Sequence, residues 1–345
     1  MRRPSNLRPG LSTTHNFGAI IPVPSKAFIL GAGFSADAGF PLVRDLRNDV
    51  LWLIETEKHP STKPHFAYPQ GQFDAGQNAI DPESSMGFEE WMIALRDRQL
   101  SAKTHVHDPA HAFERVLRDA CGRLLWHKHR TLDHLPVAYR NFASWFHECH
   151  LDGQPNAIVS FNWDLLVEKI LTDAKVCWQY TIQSPWVPIL KPHGSINWSD
   201  HAEKDLGAES QEWRPIAPGS AYSYFPGSPF SDPFENGVNQ RLRKLILPGD
   251  PEDAGMTGLI WAEVEAAIRE RDIVVFVGYS LPSYDAFSTR FFQRVTAGKR
   301  IEVYSRSSEA LEHYRQMLGN ISTTNPTAFA HCPYVRPVTQ PAKAS

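Results

Sequence analysis

The segment Phe28-Ile-Leu-Gly-Ala-Gly-Phe-Ser-Ala-Asp-Ala-Gly-Phe-Pro41 constrains this chain more than any other. A short apolar run ends in Gly31-Ala32-Gly33, and small residues lead into a helix. A strand, a glycine turn and a helix in that order bring a diphosphate against backbone N–H groups. Gly31 lets the chain leave the strand in a conformation that a β-carbon resists. Gly33 allows a diphosphate to approach the backbone closely. Ser35 is placed to cap the helix or to donate its hydroxyl to a phosphate oxygen. Gly39-Phe40-Pro41 should stop that helix after little more than a turn, because Pro41 disfavours helix in the residue before it. The dinucleotide fingerprint Gly-x-Gly-x-x-Gly opens a long helix, whereas here the next glycine stands six residues after Gly33. A generic strand-to-helix turn is the plainer alternative.

The chain of 345 residues is long enough to bury a sizeable core. Apolar content of 42% and charged content of 21% are those of a globular protein. A formal net charge of −3 supplies no basic field to draw the chain to nucleic acid or to a membrane surface. Cys121, Cys149, Cys177 and Cys332 lie far apart, without a Cys-x-x-Cys pair. That spacing suggests neither a structural zinc module nor a disulfide framework, and fits a reducing cytoplasm. No secretory signal is expected at the N-terminus, and no apolar run approaches the roughly 20 residues of a membrane span.

Residues 1–25, with Pro4, Pro9, Pro22 and Pro24, read as an irregular arm, and 336–345 as a flexible tail. Between them, 26–335 reads as one catalytic unit with a helical insertion at about 87–150. Strands are expected at 26–31, 157–161, 245–248, 272–277 and 301–304. Helices are expected at 42–57, 164–174, 260–270, 284–295 and 308–318. Residues 58–84 and 199–240 read as loops. Apolar spacing of i, i+3 and i+4 recurs in the insertion, in 88–95 and 112–117. Strands alternating with helices at both ends of the chain predict an α/β fold, a Rossmann-like doubly wound parallel sheet covered on both faces.

Four further segments carry polar residues at strand ends, where open α/β sheets bind ligands. Val159-Ser160-Phe161-Asn162-Trp163-Asp164 delivers Asn162 and Asp164, which also suit a turn and a helix cap. Lys191-Pro-His-Gly-Ser-Ile-Asn-Trp198 holds His193 between a proline and a glycine, and an imidazole suits acid–base work near neutrality. Val277-Gly278-Tyr279-Ser280-Leu281-Pro282 follows a strand and can offer N–H groups and a hydroxyl to a phosphate or ribose. Glu302-Val-Tyr-Ser305-Arg306 spans the end of the last strand, where its polar residues either meet an adenosine ribose or simply end the strand.

Taken in order, the Gly-Ala-Gly-x-Ser loop, the Asn-x-Asp strand end, the His-Gly pair and the Gly-x-Ser-Leu turn resemble the sirtuin superfamily over residues 26–306. The chain departs from sirtuin deacylases: Pro41 is followed by Leu42-Val43-Arg44 rather than Asp-Phe-Arg, and the Cys pairs of their zinc module are missing. It is more similar to the sirtuin-like domains of bacterial anti-phage defence systems, and Phe88-Glu89-Glu90 resembles an acidic helix start of that group.

The resemblance implies an NAD glycohydrolase that depletes NAD, with NAD as substrate and no metal. It implies catalytic roles for Asn162, His193 and Asp164. Asn162 would orient the nicotinamide ribose and the attacking water, His193 would act as base, and Asp164 would contact the carboxamide or ribose. Gly31, Ala32, Gly33 and Ser35 would hold the diphosphate, Gly278 and Ser280 would complete the phosphate and ribose cradle, and Ser160, Leu281 and Ser305 would also bind the cofactor. Asp37 belongs on the ribose side. The alternatives are an NAD-dependent deacylase or ADP-ribosyltransferase, or a non-catalytic NAD-binding or assembly module. Control is expected through a homo-oligomer or a separate sensor subunit, such as an ATPase or an Argonaute-like protein, without direct nucleic-acid binding or a membrane.

Overall fold

A computed structural model describes residues 24–57, 87–102, 109–182, 185–199, 214–215, 223–224, 243–245, 254–323 and 325–335. The first strand, β1 (Lys26–Leu30), is buried along its whole length, as an apolar run at the centre of a parallel sheet should be. It pairs in parallel with β2 (Ala157–Ser160) on one side and with β9 (Ile273–Val277) on the other. The sheet extends outward through β10 (Arg300–Tyr304) beyond β9. Beyond β2 it continues through β4 (Val187–Leu190), β3 (Trp178–Gln179) and the antiparallel edge strand β7 (Ser223–Tyr224). A second, three-stranded sheet joins β5 (Gly194–Ser199) to β6 (Arg214–Pro215) and β8 (Arg243–Leu245).

The helices divide between the two faces of the main sheet. Alternate residues of β1 show the division: Phe28 and Leu30 enter one apolar cluster, Ala27 and Ile29 the other. The first face is covered by α2 (Val43–Glu57), α3 (Phe88–Ala102), α4 (Pro109–Thr131), α5 (Val137–Leu151) and α6 (Leu166–Asp173). Leu46, Val50 and Ile54 of α2 and Tyr139, Phe142, Ala143 and Phe146 of α5 form the buried stripes that helical spacing requires. Phe28 is the hub, with ring centroids of Phe142, Trp145 and Tyr334 at 5.4, 5.5 and 5.2 Å. Truncating it to alanine would cost about 3–5 kcal/mol. The second face is covered by α7 (Ala254–Arg269), α8 (Ala286–Val295) and α9 (Ser308–Leu318), through Val264, Ile268, Phe292, Leu311 and Tyr314.

The expected α/β class and two-sided parallel sheet are therefore observed, and the insertion resolves into α3, α4 and α5. Several boundaries differ. Helix α6 begins at Leu166 rather than Asp164, whose Oδ1 accepts the Leu166 N–H at 2.9 Å. Helix α7 begins at Ala254, six residues earlier than its apolar spacing suggested. Helix α8 begins at Ala286 rather than Tyr284, because Asp285 caps it by accepting the Ser288 N–H at 3.0 Å. Strand β8 ends at Leu245, the first residue of the expected 245–248 run, whose other three lie outside the described residues. The expected loop at 58–84, the tail at 336–345 and all but the last two residues of the N-terminal arm also lie outside them. Strands β3, β4 and β5 are not among the expected ones, and the two-residue strands β6 and β7 lie within the segment 199–240 expected as loop, the rest of which, Ser199 apart, is outside the described residues. No described helix is long and apolar enough to cross a membrane.

Candidate active site

The chain leaves β1 toward the first face and leaves β9 toward the second, so their carboxyl ends diverge. That is the topological switch point at which open α/β sheets bind ligands. The glycine segment stands there as α1 (Ala32–Ser35), a 3₁₀ turn over Ala36–Ala38 and Gly39 at φ 85°, the abrupt stop expected from Gly39-Phe40-Pro41. The reason for the glycines differs from the expected one. Gly31 N–H donates to Val277 O at 3.1 Å and Gly33 N–H to Gly278 O at 2.9 Å. A Cβ on Gly31 would lie 2.5 Å from Tyr279 Cα, and one on Gly33 2.9 Å from Gly278 Cα. Gly278 itself has φ 60° and has room for no Cβ, which would sit 2.2 Å from Phe34 N. The glycines thus allow two strand-end turns to interlock, and the amides of Gly31 and Gly33 are engaged in that contact rather than facing a ligand.

Asn162 follows β2 and is almost fully buried. Its Nδ2 donates to Gly31 O and to Ser35 Oγ, each at 2.9 Å. Among the described residues no donor reaches its Oδ1, so that oxygen remains to receive a ligand hydroxyl or a water. Ser160 Oγ lies beneath and accepts the Asn162 N–H at 3.3 Å. Asp164 Oδ1 accepts the Leu166 N–H at 2.9 Å and so organises the start of α6. Burial pushes its carboxyl above the usual range, with Lys191, the Leu166 N–H and Ser35 acting the other way. That direction works against the expected part for Asp164 as a fixed negative charge.

The turn Lys191–Gly194 follows β4, closed by Gly194 N–H to Lys191 O at 2.9 Å with Gly194 at φ 74°. It is tied to the end of β2 by Trp163 Nε1–H to His193 O at 2.7 Å and by Ile196 N–H to Trp163 O at 3.0 Å. Asn162 and His193 are thereby brought to neighbouring strand ends. The Phe161 ring meets the His193 ring edge-on at 4.8 Å and stacks on Tyr279 at 4.3 Å. His193 Nε2 lies 3.5 Å from Asp285 Oδ2, both side chains being buried.

Sequence reading did not assign a role to Asp285, although an Asp three residues before Ser288 is a recognisable helix-start signal. Burial acts upward on its carboxyl, but the hydrogen bonding and charge of His193, together with Ser288, prevail and hold it below the usual range. Glu89 completes this corner, accepting the Tyr284 hydroxyl at 2.7 Å. Burial pushes Glu89 up, against the pull of His193 and Tyr284.

The remaining expected residues are less central. Asp37 pairs with Arg306 across the mouth of the glycine segment. Ser280 is exposed beside the β9 turn. Leu281 is fully buried at φ 52°, and its carbonyl oxygen lies 3.0 Å from His313 Nε2. It therefore shapes the turn through its backbone, with its side chain in the core. Ser305 Oγ accepts the Ser307 N–H at 3.3 Å just ahead of α9. Among the described residues no cluster of three or more His, Cys, Asp or Glu side chains is arranged to hold a metal ion.

No family model matches the chain, and no curated protein matches it. Several solved structures are similar. A Sir2 homologue in complex with NAD is 14% identical, over 85% of this chain and 90% of that one, with a TM-score of 0.39. A mutant Sir2 homologue in complex with ADP-ribose is also 14% identical, over 87% and 95%, with a TM-score of 0.38. Sir2Tm bound to a propionylated peptide is 12% identical over 82% of each chain, with a TM-score of 0.37. At these values the likeness assigns no activity and no residue, and the functional reading rests on the site's own geometry and chemistry.

Proposed function

We propose that this protein is an NAD glycohydrolase that cleaves the nicotinamide–ribose bond to give nicotinamide and ADP-ribose. The observation that carries the reading is the convergence of Asn162 and His193 at the carboxyl ends of β2 and β4. Both are buried; Asn162 is bonded to the turn after β1 through Gly31 and Ser35, and His193 faces Asp285, which follows β9. A site that only binds has no evident use for a buried imidazole backed by a carboxylate.

In the reaction the C1′–nitrogen bond breaks with its electron pair passing to nicotinamide, which leaves neutral. Water adds to C1′, and its proton passes to a base and on to solvent. The leaving group already carries positive charge on its nitrogen, so the protein's task is to orient the ribose and the water. Asn162 Oδ1 receives a ribose hydroxyl or the water, while Nδ2 keeps the amide plane fixed on Gly31 and Ser35. His193 takes the proton from the water or from a ribose hydroxyl. Because Gly31 and Gly33 donate elsewhere, and the buried Ser35 hydroxyl is held between Asn162 Nδ2 and the Asp164 carboxyl, the diphosphate is assigned to the Ala32 N–H and the exposed Ser280. Asp37 and Arg306 border the ribose end. A role as an NAD-depleting effector in bacterial anti-phage defence, under a homo-oligomeric state or a separate sensor subunit, rests on the order of the sequence motifs.

The test is incubation of purified protein with NAD, with both products followed by chromatography. Equal release of nicotinamide and ADP-ribose, lost in Asn162→Ala and His193→Ala proteins that remain folded, is the expected result. Transfer of ADP-ribose to an acceptor, or full cleavage in both variants, would overturn the reading.

A further inference from the structure

We infer that Asp285 is a positioning residue for His193: it accepts the Nε2 proton of the imidazole and so leaves Nδ1 as the nitrogen that receives a proton in the reaction. The inference rests on the glycohydrolase reading for its chemistry but on this structure alone for its geometry. Asp285 stands at the start of α8, and its two oxygens are divided. Oδ1 accepts the Ser288 N–H at 3.0 Å, which fixes the carboxylate plane, and Oδ2 faces His193 Nε2 at 3.5 Å. That separation is long for a hydrogen bond, and catalytic contacts of this kind commonly tighten when substrate binds. The Tyr279 hydroxyl approaches the same Oδ2 at 3.4 Å from the β9 turn.

Among the described residues, Asp285 is the carboxylate that forms the close pair with His193 Nε2. Phe161 presents an aromatic ring. Glu89, reaching the corner from α3, is engaged by the Tyr284 hydroxyl. A neutral imidazole donates through one nitrogen and accepts through the other, and the fixed partner of one decides the role of the other. With Asp285 2% exposed and His193 4% exposed, solvent competes little for that decision.

The discriminating variant is Asp285→Asn. Its amide oxygen can keep the Ser288 N–H, which leaves the NH₂ group facing Nε2. The ring must then accept at Nε2 and carry its proton on Nδ1, the wrong arrangement for the base. In serine proteases the equivalent carboxylate-to-amide change preserves geometry and lowers kcat by about 10⁴ through this tautomer effect.

The experiment is ¹⁵N NMR of the imidazole rings in full-length protein without NAD, at a pH where the rings are neutral. His193 is assigned by the signals lost in His193→Gln. Wild type should show the Nε2–H tautomer and Asp285→Asn the Nδ1–H tautomer. An Nδ1–H ring in wild type, or an unchanged tautomer in the variant, would overturn the proposal. If Asp285→Asn does not fold, the wild-type spectrum still decides. Kinetics add a second readout, with kcat falling about 10²–10⁴-fold and KM little changed. Failure to cleave NAD in a protein with the expected tautomers would remove the glycohydrolase reading and leave the Asp285–His193 relation standing.

Discussion

Lys191 and His193 stand two residues apart on one turn, and each meets a buried carboxylate, yet the two pairs are built differently. Lys191 Nζ donates to Glu168 Oε1 at 3.0 Å, Ser195 Oγ at 2.9 Å and Asp164 O at 2.6 Å, so all three of its protons are placed. Glu168 Oε1 also accepts the Tyr180 hydroxyl at 3.0 Å, and both charged side chains are fully buried. His193 reaches one carboxylate oxygen at 3.5 Å and meets the Phe161 ring edge-on. A lysine with all three protons placed holds the backbone in place, although Glu168 Oε2 is buried without a partner, whereas in the proposed reading an imidazole with one nitrogen tethered keeps the other for chemistry. Under the proposed function the turn therefore carries scaffold on one side and reactivity on the other.

The comparison breaks most easily at the Lys191–Glu168 pair. Lys191→Met strands the Glu168 charge in the core and should cost about 3–5 kcal/mol of stability, read as a lowered denaturant midpoint. Adding Glu168→Leu should recover most of that loss, since an apolar pair of similar volume replaces a desolvated ion pair at little cost. A double variant as unstable as the single one would show that Lys191 acts through Ser195 and Asp164 instead.

The reactive side should respond in the opposite sense. His193→Ala should lower NAD cleavage by about 10²–10⁴-fold, the usual contribution of a general base. Its denaturant midpoint should stay far closer to wild type than that of Lys191→Met. A collapse of stability without a separate effect on turnover in the remaining folded protein would put His193 with the scaffold.

The same division explains what the sequence disclosed. Strands such as Ile273–Val277 and helices such as Val43–Glu57 were legible because periodicity and punctuation are local. The strand-end placement of Asn162 and His193 was legible because each follows a buried apolar run. The partners were not. Asp285 meets His193 across 92 positions and Glu168 meets Lys191 across 23, and no local pattern encodes such a meeting. The glycines were found for an incomplete reason, since their need comes from Gly278 and Tyr279, more than 240 residues onward. Gly31→Ala sharpens that point. Its Cβ would press on backbone at Tyr279 Cα, so the turn must shift, and overpacking of this kind costs about 1–3 kcal/mol. A thermal unfolding temperature equal to wild type would mean the interlock yields freely.

The smallest effect separates the carboxylates of the reactive corner from one another. Burial raises Glu89 in the folded state, whereas Asp285 is held low there. For Glu89 the folded protein retains its proton at pH values where the unfolded chain, titrating near 4.3, has lost it. Stability therefore falls as pH rises through the folded value. For Asp285 the sign reverses: its contribution is present above the unfolded carboxylate value and is lost as pH falls through the depressed folded one. Glu89→Gln keeps an oxygen for the Tyr284 hydroxyl and removes only the titration. Unfolding midpoints measured from pH 4 upward should then decline less steeply in Glu89→Gln than in wild type, the two curves separating as pH rises. Asp164, also raised by burial, is common to both proteins and drops out of the difference. Parallel curves would place the Glu89 carboxyl in contact with solvent and detach it from the His193 corner.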